Sequence, residues 1–236
     1  MLKLIPHETA HGAIAEIQLA RPPVNALNLE LLQQLQAAIE DSTRNGARGI
    51  VLSGAPGMFS AGVDVPALLD RERAEVREYW RTFFAVCATL ARSPIPLVAA
   101  ISGHSPAGGA VLALFCDYRV MAEGSYRIGL NEVQVGLTVP ESIQFALRRV
   151  VGAYRAERLL IAGAMLESAQ ALDVGFVDEL APAEQVAARA VQWLGELLAL
   201  PQRAMLSTRT LARADLVKAF ADSEAGSLEE IGRAQV

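Results

Sequence analysis

Residues 97–114 constrain the fold more than any other stretch of this sequence. They begin with a continuous apolar run, Leu97 to Ile101, which is typical of a strand buried on both faces. Small residues around Pro106, Gly108 and Gly109 interrupt the run, and an apolar stretch with good helix formers follows. This order of strand, loop and helix start leaves backbone N–H groups unpaired, and such groups favour negative charge. Because Gly108 and Gly109 lack side chains, a ligand can approach those groups closely.

Two familiar loop motifs do not fit this stretch. A phosphate-binding P-loop ends in Gly-Lys-Ser/Thr, which is missing here. The segment 103–107 nearly matches the Gly-x-Ser-x-Gly of a hydrolase nucleophile elbow, but the residue after Ser105 is Pro106, which has no N–H to give to an oxyanion. That mechanism also needs a histidine after the serine, and the sequence has none beyond His104.

The remaining functional interpretation is an oxyanion site without a serine nucleophile. In it, the N–H of Gly109 stabilises charge that develops on a carbonyl oxygen. A tight strand-to-helix connection, whose glycines only permit close packing, explains the same residues. This loop alone leaves both interpretations open.

Composition and charge exclude several classes of protein. The 236 residues are 52% hydrophobic and 20% charged, which supplies a core and argues against disorder. A net charge of −5 argues against a nucleic-acid partner. Cys87 and Cys116 lie in apolar surroundings, as expected for core thiols in a reducing compartment. The sequence shows no targeting segment, membrane-spanning stretch or metal-ligand spacing, so we expect a cytoplasmic protein without a catalytic metal.

The rest of the chain alternates strand and helix patterns. Strands are predicted over residues 2–5, 13–19, 49–53 and 117–122, and a last one follows a turn within 172–180. Asn28 is the expected N-cap of a helix that Gly46 ends. Another helix opens at Pro140 and Glu141. Beyond Pro182 only helical patterns remain, with a break at Pro201.

A second glycine-containing loop, residues 58–64, resembles the first in composition. Two such loops can each give one N–H to the same oxygen, although a turn in which Asp64 caps the next helix explains these residues equally. A long helix over about 71–92 follows. Its aromatic residues at helical spacing predict core or pocket wall: Tyr79, Trp80, Phe83 and Phe84.

Four segments in this order resemble the enoyl-CoA hydratase/isomerase (crotonase) superfamily: residues 59–64, residues 101–109 with their glycines, Cys116-Asp117-Tyr118-Arg119, and residues 129–137. The match runs from about Ala13 to about Pro182. Together these motifs are specific, whereas any one alone is weak. The variant Gly129-Leu130-Asn131-Glu132 is most similar to the Δ3,Δ2-enoyl-CoA isomerase branch.

The resemblance implies an α/β fold, a crotonase-like spiral of ββα units over residues 1–182 with a C-terminal helical trimerisation segment over 183–236. It implies a homotrimer or a dimer of trimers, and an acyl-CoA thioester as substrate, so that coenzyme A is part of the substrate and no separate cofactor is needed. It also implies an oxyanion hole built from two backbone N–H groups, which correspond to Val63 and Gly109.

Family hydratases use two glutamates, and this chain matches only one of them. The glutamate before the Val-x-x-Gly element corresponds to Glu132, whereas the other position holds Leu112, which cannot carry a proton. Hydration needs one group to activate water and another to protonate carbon, so it should be impaired. A single base suffices to move a proton from C2 to C4. The resemblance therefore implies a 3-enoyl-CoA isomerase with Glu132 as the base, although a lone glutamate is often only a salt-bridge or turn residue.

Two alternatives remain at this point. Glu141, at a helix start, is expected to interact with the helix dipole, but as a second acid it would restore hydratase or another lyase activity. A scaffold or binding protein with this fold and no chemistry is the other alternative. An intact Glu132 and both glycine loops argue against it.

The resemblance also places the substrate along named residues. These are Val24, Ala26, Ala61, Gly62, Val63, Gly108, Gly109 and Leu112. With only Lys3 and Lys218 as lysines, arginines such as Arg21 or Arg71 are expected to meet the CoA phosphates.

Overall fold

The computed structural model describes residues 1–69 and 71–223 of the chain. Its strands are β1 Leu2–Thr9, β2 Gly12–Leu19, β3 Gly49–Ser53, β4 Gly57–Met58, β5 Leu97–Ile101, β6 Gly103–Pro106, β7 Tyr118–Ala122, β8 Arg127–Gly129, β9 Leu166–Glu167 and β10 Glu179–Ala181. Its helices are α1 Leu29–Arg44, α2 Pro66–Leu69, α3 Arg73–Arg92, α4 Gly108–Leu114, α5 Glu141–Val151, α6 Ala153–Ala162, α7 Ser168–Asp173, α8 Val186–Leu198, α9 Gln202–Ala212 and α10 Ala214–Ser223. A 3₁₀ helix spans Glu132–Val135.

The strands form two sheets that alternate along the chain. The larger sheet has the order β1-β2-β3-β5-β7-β10 and is parallel except for the β1–β2 hairpin. The smaller sheet has the order β4-β6-β8-β9. Each strand β3, β5 and β7 of the larger sheet is followed by one of the smaller sheet and then by helix. This repetition confirms the predicted spiral of ββα units.

Both faces of the larger sheet are buried, which explains the continuous apolar run of β5. Leu97, Ala99 and Ile101 belong to a core shared with helices α1, α3, α4 and α5. The alternate residues Val98 and Ala100 pack on the other face, against α8. A strand covered on both sides needs apolar residues at every position.

Several local predictions are confirmed, whereas the four short strands of the smaller sheet were missed. The Asn28 side chain accepts a hydrogen bond from the N–H of Leu31 (2.9 Å), and α1 ends two residues before Gly46, whose φ is +88°. The segment 103–106, which the sequence shows only as small residues, is strand β6. Strand β6 pairs with β4 and β8, and these contacts with distant segments order a stretch that has no apolar pattern of its own.

The chain after β10 is mainly helical, in agreement with the helical patterns beyond Pro182. Helices α8, α9 and α10 follow β10, with Pro201 between the first two. Residues 224–236 of the predicted segment 183–236 lie outside the described part of the chain. Among the described helices, none combines the length and the apolar character needed to cross a membrane.

Candidate active site

Two glycine loops meet at one edge of the smaller sheet. Because β4 and β6 pair in parallel, the loop after β4 and the start of α4 after β6 leave the sheet on the same side. The contact is too close for side chains: a Cβ on Gly62 would lie 2.8 Å from the backbone nitrogen of Gly108, and one on Gly108 would lie 3.2 Å from that of Val63. Gly62 also has φ +82°, which glycine adopts without strain.

The two predicted oxyanion donors are free. Among the hydrogen bonds of the described residues, none uses the N–H of Val63 or that of Gly109. Gly109 belongs to the first turn of α4, where backbone N–H groups have no partner within the helix. A Cβ there would lie 2.6 Å from the carbonyl oxygen of Ser60, so only glycine fits. Neither amide is therefore bound to a protein acceptor in the described part of the chain; Val63 lies on the lining of the neighbouring cavity, and Gly109 directly follows Gly108, which lines it.

Ala107 holds the start of α4 in a strained conformation. It has φ 44° and ψ −118°, a region that residues with a side chain rarely adopt. Its N–H donates to the carbonyl oxygen of Gly129 (2.8 Å), and its own carbonyl accepts from Val111 (2.9 Å). These contacts maintain the strain, and strain of this kind concentrates at functional sites. Nothing in the sequence distinguishes Ala107 from other small residues.

A cavity of about 240 Å³ opens beside these loops. Ala61, Val63 and Gly108 form its border on the loop side. The rest of the lining is mainly apolar: Val65, Trp80, Phe83, Val111, Leu137 and Ile143. Glu132 is the one carboxylate among the described residues that line it. A mostly apolar cavity with a few polar groups is typical of a small-molecule site.

Glu132 is held at this cavity by the 3₁₀ helix that it begins. The helix ends at Gly136, with φ +77°, and the carbonyl of Glu132 accepts from the N–H of Leu137 (3.0 Å). The amide of Gln134 donates to the carbonyl of Gly163 (2.9 Å) and ties the helix to the end of α6. These two hydrogen bonds therefore hold the short helix that carries the Glu132 side chain.

Burial raises the pKa of Glu132 from its ordinary value of 4.5 to about 7, and a hydrogen bond with its own backbone lowers it only partly. Its Oε2 atom is buried and accepts no hydrogen bond. Loss of hydration without a compensating donor disfavours the charged form, which makes the carboxylate a stronger base. The Oδ1 atom of the neighbouring Asn131, also on the cavity, is likewise buried without a donor.

Glu141, the alternative second acid, does not belong to the cavity lining of the described residues. The residue begins α5 as expected, but its side chain is 73% exposed. Its Oε1 atom accepts a hydrogen bond from Nη2 of Arg148 at 2.6 Å. These two residues are seven apart on α5, so they lie on one helix face, and that face is turned towards solvent.

Leu112 is not brought to the cavity either. Its side chain is completely buried in the core, whereas that of the preceding residue, Val111, lines the cavity. Successive helix residues point about 100° apart, which separates the two. Leu112 is not among the described residues that line the cavity, so the structure does not support its predicted contact with the substrate.

The predicted CoA-binding segment runs beside the loop 58–64. The N–H of Ala61 donates to the carbonyl of Val24 (2.9 Å), and Arg21 donates to the carbonyl of Ala26 (2.8 Å). Val24 and Ala26 are half-buried and lie outside the cavity lining. Asn25 between them, which sequence reasoning missed, is buried at φ 51° and donates to the carbonyl of Phe59 (3.1 Å).

The two arginines expected at the CoA phosphates are both paired with acids. Nη2 of Arg21 lies 2.8 Å from Oδ2 of Asp64, and Nη1 of Arg71 lies 2.9 Å from Oε1 of Glu75. The Arg71 pair is exposed on both sides, so that side chain can turn to a ligand at little cost. A phosphate contact of Arg71 stays a prediction.

The four aromatic residues of α3 divide between cavity and core. Trp80 and Phe83 line the cavity, whereas Phe84 is core. Tyr79 is buried, and its hydroxyl donates to the carbonyl of Leu27 (2.8 Å), next to the oxyanion loop. The helical spacing could not separate these roles because all four residues lie in apolar surroundings.

The sequence model of the family described as "Enoyl-CoA hydratase/isomerase" matches residues 9–225. The chain belongs to the enoyl-CoA hydratase/isomerase family. This match is longer than the resemblance seen in the sequence, which runs over about residues 13–182, and it includes the C-terminal helices. Family membership agrees with a site that combines free loop amides with a buried carboxylate.

Some similar members of the enoyl-CoA hydratase/isomerase family are named isomerases, and others are named hydratases. The mouse protein named "Enoyl-CoA delta isomerase 1, mitochondrial" is 39% identical over 215 residues, which cover 90% of this chain and 73% of the relative. The crystal structure of human mitochondrial Δ3,Δ2-enoyl-CoA isomerase has a TM-score of 0.91 and 33% identity, and covers 98% of this chain and 91% of that chain. A probable enoyl-CoA hydratase from Mycobacterium tuberculosis has a TM-score of 0.90 at 30% identity, with 98% and 97% covered.

Proposed function

We propose that this family member is an acyl-CoA isomerase that converts a 3-enoyl-CoA into the conjugated 2-enoyl-CoA. One observation carries the proposal: Glu132 is the single carboxylate on the cavity lining of the described residues. One carboxylate suffices for a proton shift between two carbons, whereas hydration needs two proton-transferring groups. The isomerase names of the mouse and human relatives support the same reaction.

The thioester carbonyl oxygen would accept hydrogen bonds from the N–H groups of Val63 and Gly109. Neither N–H has a protein partner among the described residues, which supports this role, because no hydrogen bond has to break when charge develops on the oxygen. A preorganised donor of this kind contributes about 3 kcal/mol of transition-state stabilisation. The hole therefore lowers the energy of the dienolate rather than that of the substrate.

Glu132 would take the proton from C2 and return it at C4. Removal of the C2 proton leaves a dienolate whose negative charge is shared between the thioester oxygen and C4. The protonated Glu132 then gives the same proton to C4, and the double bond lies between C2 and C3. With a pKa of about 7, Glu132 both accepts and releases a proton near neutral pH.

The first test compares Glu132→Gln with Glu141→Gln. Glutamine keeps the shape of the carboxyl group but cannot accept the proton, so Glu132→Gln is expected to lower kcat at least about 1,000-fold. Glu141→Gln removes an exposed carboxylate outside the cavity and is expected to stay near wild type. The assay follows the absorbance of the conjugated thioester, and calorimetry with a saturated acyl-CoA shows whether binding is retained.

Hydratase activity is the second candidate, because a Mycobacterium avium relative named as a probable enoyl-CoA hydratase is 30% identical over 199 residues. Hydration of crotonyl-CoA, assayed beside 3-enoyl-CoA isomerisation across several chain lengths, separates the two activities. We expect isomerisation to dominate, and a dominant hydration rate would overturn the proposal. Exchange of the C2 protons of a saturated acyl-CoA with deuterium separates both from a protein without chemistry.

A further inference from the structure

Arg21 and Asp64 form a shielded ion pair at the base of the loop that carries Val63. Nη2 of Arg21 lies 2.8 Å from Oδ2 of Asp64, and the two side chains are 27% and 14% exposed. The other arm of the same guanidinium, Nη1, donates to the carbonyl oxygen of Ala26 at 2.8 Å. The Arg21 side chain thus joins two separate segments, one through the backbone carbonyl of Ala26 and the other through the carboxylate of Asp64.

Those two segments are the ones that form the bridge beside the oxyanion hole. Leu27 and Val63 pair as a short parallel bridge, in which the N–H of Leu27 donates to Gly62 (2.8 Å) and the N–H of Asp64 donates to Leu27 (3.1 Å). Arg21 contacts the residue before Leu27 and the residue after Val63. The guanidinium therefore clamps both strands of the bridge.

The N–H of Val63 has no partner among the described residues, so its direction is set by the residues on either side of it. The N-terminal side of Val63 is tied by Gly62, which accepts from Leu27 and donates to the hydroxyl of Ser60 (3.1 Å). On the other side, the chain leaves for the surface directly after Asp64, since Val65 is already 43% exposed. Asp64 is consequently the last anchor before solvent.

We propose that Arg21 and Asp64 are positioning residues that aim the Val63 N–H at the thioester oxygen. This inference rests on the proposed function. It replaces the expectation that Arg21 binds a CoA phosphate, because the guanidinium is already neutralised by Asp64 and held by Ala26. A planar guanidinium makes both contacts at once, whereas a lysine ammonium of similar reach offers a single point of charge.

Asp64→Asn separates the two roles of Arg21. If Arg21 positions Val63, loss of the ion pair loosens the donor, so kcat falls and the affinity for CoA esters stays the same. If Arg21 instead serves the phosphates, Asp64→Asn releases the guanidinium and CoA esters bind more tightly. The two interpretations predict changes in different quantities.

The experiment measures the infrared stretch of a ¹³C-labelled thioester carbonyl in saturated hexanoyl-CoA, free and bound, beside kcat and KM with 3-enoyl-CoA. We expect Arg21→Met and Asp64→Asn to reduce the carbonyl shift on binding. Both should lower kcat about 10-fold, less than the complete loss of an oxyanion donor would, and should leave KM within about 3-fold of wild type. Arg21→Lys should fall between wild type and Arg21→Met. The double variant should be no worse than either single one, because the pair acts as a unit.

Asp41→Asn, which removes a carboxylate from an exposed ion pair with Arg44, is the matched control and should change none of these quantities. An unchanged carbonyl shift and kcat in Asp64→Asn, or tighter binding of hexanoyl-CoA, would overturn the inference. A wild-type protein that binds the ester without any carbonyl shift would instead refute the oxyanion hole of the proposed function. If Asp64→Asn does not fold, as judged by its thermal midpoint, the carbonyl shift of Arg21→Lys decides.

Discussion

Glu132 shows how a single residue acquires two linked properties from its surroundings. Burial without a donor for Oε2 raises its pKa to about 7. The same burial makes the carboxylate a better base and makes the charged form costly to the folded state. Activity and stability should therefore respond to pH in opposite directions.

The first consequence is a pH dependence of catalysis. Glu132 must be ionised to take the C2 proton, so kcat/KM is expected to rise with pH and to reach half of its plateau near pH 7, the pKa in the free protein. Initial rates with one 3-enoyl-CoA between pH 5 and 9 measure this. A profile already flat above pH 5 would show that the base has an ordinary carboxyl pKa.

The second consequence concerns stability. The folded pKa of about 7 exceeds the ordinary 4.5, so between these values the folded state binds more protons than the unfolded state, and stability decreases as pH rises through 7. Glu132→Gln should thus stabilise the protein at pH 8 by at most about 3 kcal/mol and leave it unchanged near pH 4.5. Urea unfolding of both proteins at the two pH values measures the difference. Equal stabilities at pH 8 would contradict the buried charge.

At the scale of elements, the site depends on two loops that pack without side chains between them. The parallel pairing of β4 with β6 sends both loops to one edge, and Gly62 and Gly108 then come into backbone contact. Neither loop forms an oxyanion hole by itself. The arrangement of the second sheet brings the loop of Val63 and the start of α4 together beside one cavity, which Val63 and Gly108 line.

This packing predicts a difference between two glycine substitutions with similar backbone requirements. Gly62→Ala and Gly124→Ala both place a side chain at positive φ, +82° and +116°, but only the first Cβ meets another atom, the Gly108 nitrogen at 2.8 Å. We expect Gly62→Ala to lower kcat about 100-fold, comparable to the loss of one oxyanion donor, since the loops must separate. Gly124→Ala should lose only stability, which thermal unfolding measures. Equal activities would show that loop contact does not matter.

At the scale of the whole molecule, the C-terminal helices are joined to the core through charge. Asp117 accepts hydrogen bonds from both Arg209 and Arg213, and Arg213 also donates to the carbonyl of Phe115 (2.7 Å) at the end of α4. Helix α10 packs behind this point, where the ring centroids of Phe220 and Phe115 are 4.8 Å apart. By contrast, α9 buries none of its residues within the described chain, and its Leu211 is 78% exposed.

An unburied helix of this kind agrees with the predicted homotrimer or dimer of trimers. Light scattering behind a sizing column is expected to give the mass of three or six chains. Leu211→Glu should shift the population towards single chains because it places charge on an apolar contact surface. A monomeric wild type would contradict the assembly, and a trimer unaffected by Leu211→Glu would place the contact elsewhere.

Features that depend on local backbone geometry or on a motif could be predicted from the sequence. The N-cap Asn28, the helix α3 and the two glycine loops could all be located from residue order. The sequence left alternatives open where a side chain had two possible directions. Glu141 and Glu132 are both acids at the beginning of a helical turn, and only packing turns one towards Arg148 and the other towards the cavity.

The sequence by itself determined the strands of the larger sheet, the main helices, the family, and the acid on which the proposed chemistry depends, because propensity, periodicity and motifs act over short distances along the chain. The tertiary structure alone decided that the loops of Val63 and Gly109 meet with both N–H groups unpartnered among the described residues, that Arg21 is held by Asp64, and that burial raises the pKa of Glu132. These features depend on which distant segments come into contact and on how much water they exclude. Such contacts are set by the packing of the whole chain.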